Sequence, residues 1–405
     1  MTALEVRTVE NLDEFTSAVL AIGHYFGMVP NEERMQRFTK LLPLDRMFGA
    51  WSSEAAVGGA GSFPFDLTVP GGSLPTAGVT VVGVLPTHRR RGVLRSLMRA
   101  QLDDAHERGE PLAALWASEE SIYGRFGYGL ASFCGEITLP REYTAFAHPF
   151  EPQGRLRLIE PDEAQEAIPP VFERIRLEWP GMFTRSNAWW ENREIADPEE
   201  RRDGAGPKRW VVYERDGSIE GYAAYRHKPG FEGGTTNAEL RVLEALGTSP
   251  EALRDLWAYL LAIDWIATVK SYLLPPDHPL FLLLATPRRM RYRMGDGIWV
   301  RLVDVGAALS GRRYSGDGSI VFEVADEFCP WNEGRWKLSG GRAERSKDAA
   351  DLSVPVQTLG SALLGGVSFA ELRRAGRVVE LNAGAIERAD ALFRCDRHPW
   401  CPEIF

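Results

Sequence analysis

The chain has 405 residues, of which 44% are hydrophobic and 25% are charged, and its formal net charge is −9. This length exceeds one ordinary core and predicts two or three domains, and the composition is typical of a soluble globular protein. The negative charge disfavours nucleic acid as a general partner and favours cationic ligands. The longest apolar runs, such as residues 280–285, are too short to span a bilayer, so we expect no membrane insertion.

The cysteine content and the start of the sequence both bear on the compartment. Four cysteines in a chain of this length do not make a disulfide framework. No basic segment followed by an apolar one precedes Glu5, which argues against a signal peptide. Together these features predict a cytoplasmic protein.

The first 84 residues predict an alternation of strands and helices. The pattern indicates a strand at 4–8, a helix from Asn11 or Asp13, a charged helix at 32–41, and strands at 47–51, 58–66 and 78–84. His24 and Tyr25 lie between the two helices. They could line a substrate site, and a packing or surface role is equally consistent with the sequence.

A cationic turn follows the strand that ends at Val84. The turn runs over residues 87–92 and precedes a helix with one apolar stripe, formed by Leu94, Leu97, Met98, Leu102 and Ala105. Because the first amides of a helix are unpaired, such a turn can bind an anion, and Gly92 permits close backbone approach. The arginines at 89, 90, 91 and 95 add charge suited to phosphate. A solvated basic helix start is the alternative to a pyrophosphate site.

Residues 151–297 predict the same plan without the cationic turn. Strands are expected at 209–215, 221–228, 239–246 and 266–273, and a helix at 250–264. The turn at 247–251 has no Arg or Gln followed by Gly at the required spacing. Residues 298–405 predict further strands, followed by helices at 356–364, 369–375 and 385–393. Cys395, His398 and Cys401 have ligand-like spacing, but three ligands without a fourth make a poor structural zinc site, so we predict no metal.

The cationic turn carries a resemblance to a known family. Arg89-x-x-Gly92, after a strand ending Val82-Gly83-Val84, resembles the acetyl-CoA motif of the GNAT acetyltransferases, although Leu94 stands where that motif has Gly or Ala. Residues 86–92, Ser118-Glu119 and residues 122–129 resemble the signature of the Eis-type (enhanced intracellular survival) N-acetyltransferases. The resemblance covers the whole length and includes the terminal Phe405.

This resemblance implies an α/β (α+β) fold with three domains and an assembly. The expected domains are a GNAT domain with the acetyl-CoA site at 1–150, a degenerate GNAT-like domain at 151–297, and a sterol-carrier-protein-like domain at 298–405. The C-terminus of the last domain is expected to enter the active site. The resemblance also implies a homohexamer.

The resemblance assigns the residues of the site. Acetyl-CoA is expected to contact Val82, Gly83, Val84, Arg89, Arg90, Arg91, Gly92, Val93, Leu94, Arg95, Ser118 and Glu119. Tyr123 is the expected proton donor to the leaving thiolate, since a phenol with a pKa of about 10 is protonated at neutral pH. A packed aromatic in a turn is the alternative for Tyr123.

The C-terminus supplies the expected proton acceptor. In the family that Phe405 matches, the terminal α-carboxylate enters the active site, and such a group is ionised at neutral pH. A frayed terminus is the alternative, and Glu403 is a second candidate carboxylate.

We therefore predict an acetyl-CoA-dependent enzyme that transfers acetyl directly to a cationic amine, with aminoglycosides as the expected substrates. Acetylation of a protein lysine or a polyamine remains open. A non-catalytic ligand- or lipid-binding protein on a vestigial GNAT scaffold is the alternative from another class.

Overall fold

The computed structural model describes residues 4–29 and 31–405. The chain folds into two compact units. The first contains the described residues up to Ser132 together with Ile298–Asp396 and Ile404–Phe405, and the second contains Phe133–Gly297 and Arg397–Glu403. Within the described residues, no helix is both long enough and apolar enough to cross a membrane.

The N-terminal part of the first unit alternates strands and helices as expected. Its elements are β1 (Leu4–Thr8), α1 (Leu12–Gly23), α2 (Glu32–Thr39), β2 (Met47–Ser52), β3 (Ala55–Val69), β4 (Gly72–Val84), α3 (Val93–Glu107), β5 (Leu112–Trp116), α4 (Glu120–Tyr123) and β6 (Gly129–Leu130). The Asn11 side chain caps α1 by accepting a hydrogen bond from the backbone N–H of Glu14, which explains where that helix begins.

The second unit has its own set of elements. They are β7 (Phe133–Pro140), β8 (Arg155–Ile159), α5 (Pro161–Arg176), α6 (Asn187–Trp189), β9 (Arg209–Arg215), β10 (Ser218–Lys228), β11 (Phe231–Glu232), β12 (Thr235–Thr236), β13 (Glu239–Gly247), α7 (Pro250–Ala262), β14 (Thr268–Leu274), α8 (Leu280–Leu283) and β15 (Arg293–Asp296).

The remaining elements return to the first unit. They are β16 (Ile298–Leu302), α9 (Val305–Ser310), β17 (Ser319–Ala325), β18 (Gly334–Ser339), β19 (Arg342–Arg345), β20 (Leu352–Pro355), α10 (Val356–Ala362), α11 (Phe369–Arg374), β21 (Val379–Glu380) and α12 (Ala385–Phe393). The strands from β17 onward form a separate sheet in the order β19-β18-β17-β20-β21.

Each of the two larger sheets contains one strand that we expected in a different domain. The first sheet has the order β1-β2-β3-β4-β5-β16-β6, and the second has the order β15-β7-β14-β13-β10-β9-β8. β7, which we expected within the first domain, pairs with β14 and β15 in the second sheet. β16, which we expected in the third domain, pairs with β5 in the first. Each of these sheets therefore contains a strand from the other side of an expected boundary. The domain boundaries at 150 and 297 stay predictions.

A separation of β4 from β5 creates the space for a ligand. The two strands pair in parallel only from Thr76 to Gly78 and from Leu112 to Ala114. β4 then continues to Val84, and its register with β3 shifts between Gly59 and Gly61. Val81, in this irregular stretch, has a left-handed φ of 47°. The end of β4 is therefore paired with β3 on one side and separated from β5 on the other.

Candidate active site

A cavity of about 720 Å³ lies in the first unit, at the end of β4 and at residues that follow β4 and β5. Most of the predicted acetyl-CoA contacts line it, namely Val82, Gly83, Val84, Arg89, Arg90, Gly92, Val93, Leu94, Arg95, Ser118 and Glu119. Arg91 is not among the lining residues. Lining residues that our sequence analysis did not assign to the site are Ile22, Phe26, His88, Ser121, Ile122, Arg125 and Phe126. The structure therefore brings the three separate sequence motifs to one cavity.

The cationic turn has the backbone that an anion site needs. Gly92 has φ +85°, and a Cβ at this position would meet no atom of the described residues within 4 Å. It precedes α3, where no described side chain caps the helix. The first amides of α3 and the positive end of its dipole are therefore available to an anion, and Arg89, Arg90 and Arg95 add charge around them.

Tyr25 joins the turn to the end of β4. Its hydroxyl donates a hydrogen bond to the carbonyl oxygen of Val84 at 2.6 Å and accepts one from Nε of Arg89 at 3.0 Å. The guanidinium of Arg89 also lies 4.8 Å from the centre of the Tyr25 ring. Of the two residues for which we left the role open, Tyr25 lines the cavity, whereas His24 is not among its lining residues.

Close packing fixes the end of β4 against helix α1. A Cβ on Gly83 would lie 2.6 Å from the Cα of Ile22, a distance that the backbone of α1 could not accommodate. Because Gly83 has no side chain, α1 lies directly on the strand. This contact brings Ile22 of α1 into the wall of the cavity.

Tyr123 lies in the cavity wall with its phenol protonated. It ends α4, and only 6% of its surface is exposed. Burial, together with the negative charge of Glu119, raises the pKa of Tyr123 to about 12, and a hydrogen bond with Ser118 opposes this shift. The Tyr123 ring also packs edge-on against Tyr128, with centroids 6.0 Å apart. The side chain is thus a packed aromatic whose phenol is protonated at neutral pH, and its role as proton donor stays a prediction.

Phe405 lies in the first unit, beside β3. Its ring contacts Phe65 and Phe63 edge-to-face, at centroid distances of 5.2 and 6.3 Å. An aromatic cluster therefore holds the last residue, although Phe405 is not among the residues that line the cavity. The role of its carboxylate as a proton acceptor stays a prediction.

Glu403, the second candidate carboxylate, lies within the second unit. Arg185 donates to it and also forms an ion pair with Glu244 at 2.8 Å. Burial raises the pKa of Glu403 to about 7, although the positive charge of Arg185 opposes this shift. Glu403 is therefore already engaged by a buried cation.

The turn that replaces the cationic loop in the second unit is capped by its own side chains. The Ser249 hydroxyl accepts from the Ala252 N–H at 3.2 Å, and Pro250 at the first helical position has no N–H to offer. The Thr248 N–H and hydroxyl both donate to the Glu220 carbonyl, at 2.8 and 3.0 Å. The Thr248 and Ala252 amides of this turn are therefore already engaged by local hydrogen bonds. Across the described residues, no cluster of three or more His, Cys, Asp or Glu is placed to hold a metal ion.

Comparisons with known proteins agree with this architecture. Models described as an acetyltransferase (GNAT) domain match residues 5–131 and 181–302, and a model of a sterol carrier protein domain matches residues 305–402. The predicted fold class is thereby confirmed.

Relatives of known sequence or structure cover most of the chain. A protein of Streptomyces avermitilis named as an uncharacterized N-acetyltransferase is 43% identical over 94% of each chain. The N-acetyltransferase Eis of Mycobacterium tuberculosis is 35% identical over 86% of this chain and 85% of its own. The crystal structure of Eis1 from Mycobacterium abscessus covers 99% of this chain and 100% of its own, with a TM-score of 0.87 and 34% identity. The chain therefore belongs to the Eis-type N-acetyltransferases of the GNAT superfamily.

Proposed function

We propose that this enzyme binds acetyl-CoA in the cavity of its first unit and transfers the acetyl group directly to an amine of an aminoglycoside. The observation that carries the proposal is the joining, in one cavity wall, of an uncapped helix start, four arginines and a buried protonated Tyr123.

The residues of the cavity fit acetyl-CoA by charge and shape. Gly92 leaves open space beside the first amides of α3, where a pyrophosphate can accept hydrogen bonds. Arg89 is held by Tyr25, which reduces the conformational entropy it must lose on binding phosphate. The end of β4, separated from β5, offers backbone groups from Val82 to Val84 to the amides of the pantetheine arm.

The chain supplies the two proton transfers of the reaction. Bound acetyl-CoA contributes an activated thioester, whose sulfur leaves as a thiolate. Tyr123 donates its phenolic proton to that sulfur, a role that its raised pKa allows because the phenol remains protonated at working pH. The terminal carboxylate of Phe405 receives the proton of the amine, directly or through water, and holds the cationic substrate in place.

Charge and family membership support a polycationic substrate. The chain carries a net charge of −9, which attracts cations at long range. Glu119 adds a carboxylate to the cavity wall near Tyr123. A protein lysine or a polyamine would satisfy the same charge, so the choice among amines rests on the Eis-type resemblance.

A thiol-release assay tests the proposal. Purified enzyme with acetyl-CoA is offered an aminoglycoside, a polyamine and a lysine-containing peptide, and product mass identifies the acetylated amine. We expect the highest kcat/KM with the aminoglycoside. A higher kcat/KM with the peptide or the polyamine would show that this amine, and not the aminoglycoside, is the preferred substrate. An absence of thiol release with every amine would overturn the enzyme assignment.

We also propose that the enzyme works in the cytoplasm as a homohexamer. The low cysteine content supports the compartment, since the four cysteines form no disulfide in the described structure. The hexamer follows from the Eis-type resemblance, and light scattering of the purified protein tests it. A stable monomer at assay concentration would reject that assembly.

A further inference from the structure

The loop between β17 and β18 lies against the wall of the acetyl-CoA cavity. This loop belongs to the region that matches the sterol carrier protein domain, yet its Phe328 contacts two cavity-lining residues. The Phe328 ring packs edge-on against Phe126, with centroids 5.1 Å apart, and the guanidinium of Arg95 lies 5.2 Å from its centre. Arg99, one turn further along α3, lies 4.0 Å from the same ring.

A buried ion pair connects the same loop to the turn after Tyr123. Arg301 on β16 is 0% exposed, and its Nη2 donates to both carboxylate oxygens of Asp326 at 2.8 and 2.6 Å. Asp326 also accepts from the Cys329 N–H at 3.0 Å and from the Asn332 amide at 2.9 Å. The carboxylate is thus fully hydrogen-bonded, which is the condition under which a buried charge is tolerated.

The guanidinium of Arg301 packs directly beneath the turn that carries Tyr123. Gly127 has φ +88°, and a Cβ on it would lie 2.5 Å from Nη1 of Arg301. Both Nη1 and Nε of Arg301 lack a hydrogen-bond partner within the part of the chain that the structure describes, and so does the buried hydroxyl of Tyr128. The positive charge of Arg301 acts on this hydroxyl, opposing the rise in its pKa that burial causes. The aromatic rings of Tyr123 and Tyr128 complete the contact.

We propose that Asp326 and Arg301 are positioning residues for Tyr123, and that Phe328 positions Arg95. The C-terminal domain therefore forms the outer layer of the acetyl-transfer site, whether or not it also binds a ligand of its own. An ion pair that is held rigidly below residues 124–128 fixes the direction of the Tyr123 phenol. This inference rests on the proposed function of Tyr123 as proton donor.

The test compares four single-substitution variants and one double variant with the wild-type enzyme. Asp326→Asn removes the negative charge that fixes Arg301 and retains the size of the side chain. We expect kcat to fall about ten- to hundredfold, since a small misplacement of a catalytic group has an effect of that order. The affinity for acetyl-CoA, measured by calorimetry, should change less than about threefold. Phe328→Leu should show the opposite split, with weaker acetyl-CoA binding and a nearly unchanged kcat.

A double-mutant cycle separates positioning from general destabilisation. If Asp326 acts through the phenol, Asp326→Asn should have little further effect on kcat in a Tyr123→Phe background. The matched control is Glu110→Gln, which breaks another largely buried ion pair of the first unit, with Arg46. The control should leave kcat within about twofold, because neither Arg46 nor Glu110 lines the cavity.

Hydrogen exchange provides a readout that needs no substrate. Asp326→Asn should accelerate exchange of the amides at 124–128, whereas Glu110→Gln should not. Unchanged exchange at 124–128 in Asp326→Asn would overturn the inference, and so would an equal loss of kcat in the control or additive effects in the cycle. Absence of thiol release by the wild-type enzyme would refute the proposed function, and the exchange result would still decide whether the ion pair holds the turn.

Discussion

Arg89 and Tyr25 are joined twice, by a hydrogen bond of 3.0 Å from Nε to the hydroxyl and by the packing of the guanidinium on the ring. Tyr25→Phe keeps the ring and removes the hydroxyl, so Arg89 and the Val84 carbonyl each lose one hydrogen bond. Because one such bond contributes about 1 kcal/mol, we expect acetyl-CoA to bind about five- to tenfold more weakly. Calorimetry measures this, with Tyr272→Phe, a half-exposed tyrosine of the second unit, as control. Unchanged affinity would show that Tyr25 does not organise the turn.

Gly92→Asp should abolish acetyl-CoA binding. The new carboxylate would lie in open space beside the helix start, where it would repel phosphate, and like charges in contact cost several kcal/mol. Calorimetry should find one acetyl-CoA per wild-type chain and at least a hundredfold weaker binding in the variant. Gly109→Asp is the matched control, since Gly109 also has a left-handed φ, +71°, and open space, but follows the other end of α3. An equal loss in both variants would point to backbone strain instead.

Tyr123→Phe should lower kcat about a hundredfold and leave the affinity for acetyl-CoA nearly unchanged. The variant removes only a proton that matters as the thiolate departs, and a general acid contributes about that factor. Steady-state kinetics with saturating amine give kcat, and calorimetry gives the affinity. A rise in KM at constant kcat would assign Tyr123 to binding alone.

The pH dependence of kcat gives a second test of Tyr123. Because burial raises its pKa to about 12, the phenol stays protonated between pH 7 and about 10. In the wild-type enzyme, we therefore expect no alkaline decrease of kcat over this interval. A decrease with a midpoint near 9 that disappears in Tyr123→Phe would contradict the raised pKa, because the phenol would then titrate near 9.

The carboxylate of Phe405 should matter more than its ring. Extending the chain by a few residues moves the charge and keeps the phenyl group between Phe63 and Phe65. Deleting Phe405 shifts the charge by about 3.5 Å of chain, and misplacement of that size can cost about a hundredfold in rate. Phe405→Leu keeps the carboxylate and should lose less. The measurement is kcat/KM, with circular dichroism as the folding control, and full activity of the extended chain would exclude the carboxylate as base.

Glu403 should make the stability of the second unit decrease as the pH rises. Its folded pKa of about 7 lies above its usual value of 4.5, so its contribution is fully present below about pH 4.5 and is lost as the pH rises through about 7. The thermal midpoint of the wild type minus that of Glu403→Gln should therefore decrease as the pH is raised from 5 to 8. Glu54→Gln, at an exposed turn between β2 and β3, serves as control. A difference that stays constant or grows with pH would contradict the buried-carboxylate assignment.

The sequence predicts the parts of this molecule that depend on local order. The cationic turn, the stripe of α3 and the flanking strands are visible because Gly, Arg and apolar residues recur at spacings that a helix or strand imposes. The pairings of β7 and β16 are not visible, since the partners of a strand are set by contacts far along the chain. Tyr25 illustrates the same limit, because it meets Val84 across 59 positions of sequence.

Buried charge is also invisible from sequence alone. Arg301 is fully buried, and Asp326 is nearly so. The neighbouring sequence of each residue does not distinguish this pair from a solvent-exposed one. Charged residues are almost always exposed, so a sequence pattern assigns them to the surface. Only the structure shows that this pair lies below the turn of Tyr123.

The insertion of β16 between β5 and β6 has a consequence for synthesis of the protein on the ribosome. β5 emerges early, but the strand that covers its outer edge is made only after the whole of the second sheet. Until then, an apolar strand with unpaired backbone groups is open to other chains, which is the usual route to aggregation. We therefore expect this edge to be protected during most of translation, either because the first sheet folds late or because a chaperone covers the edge.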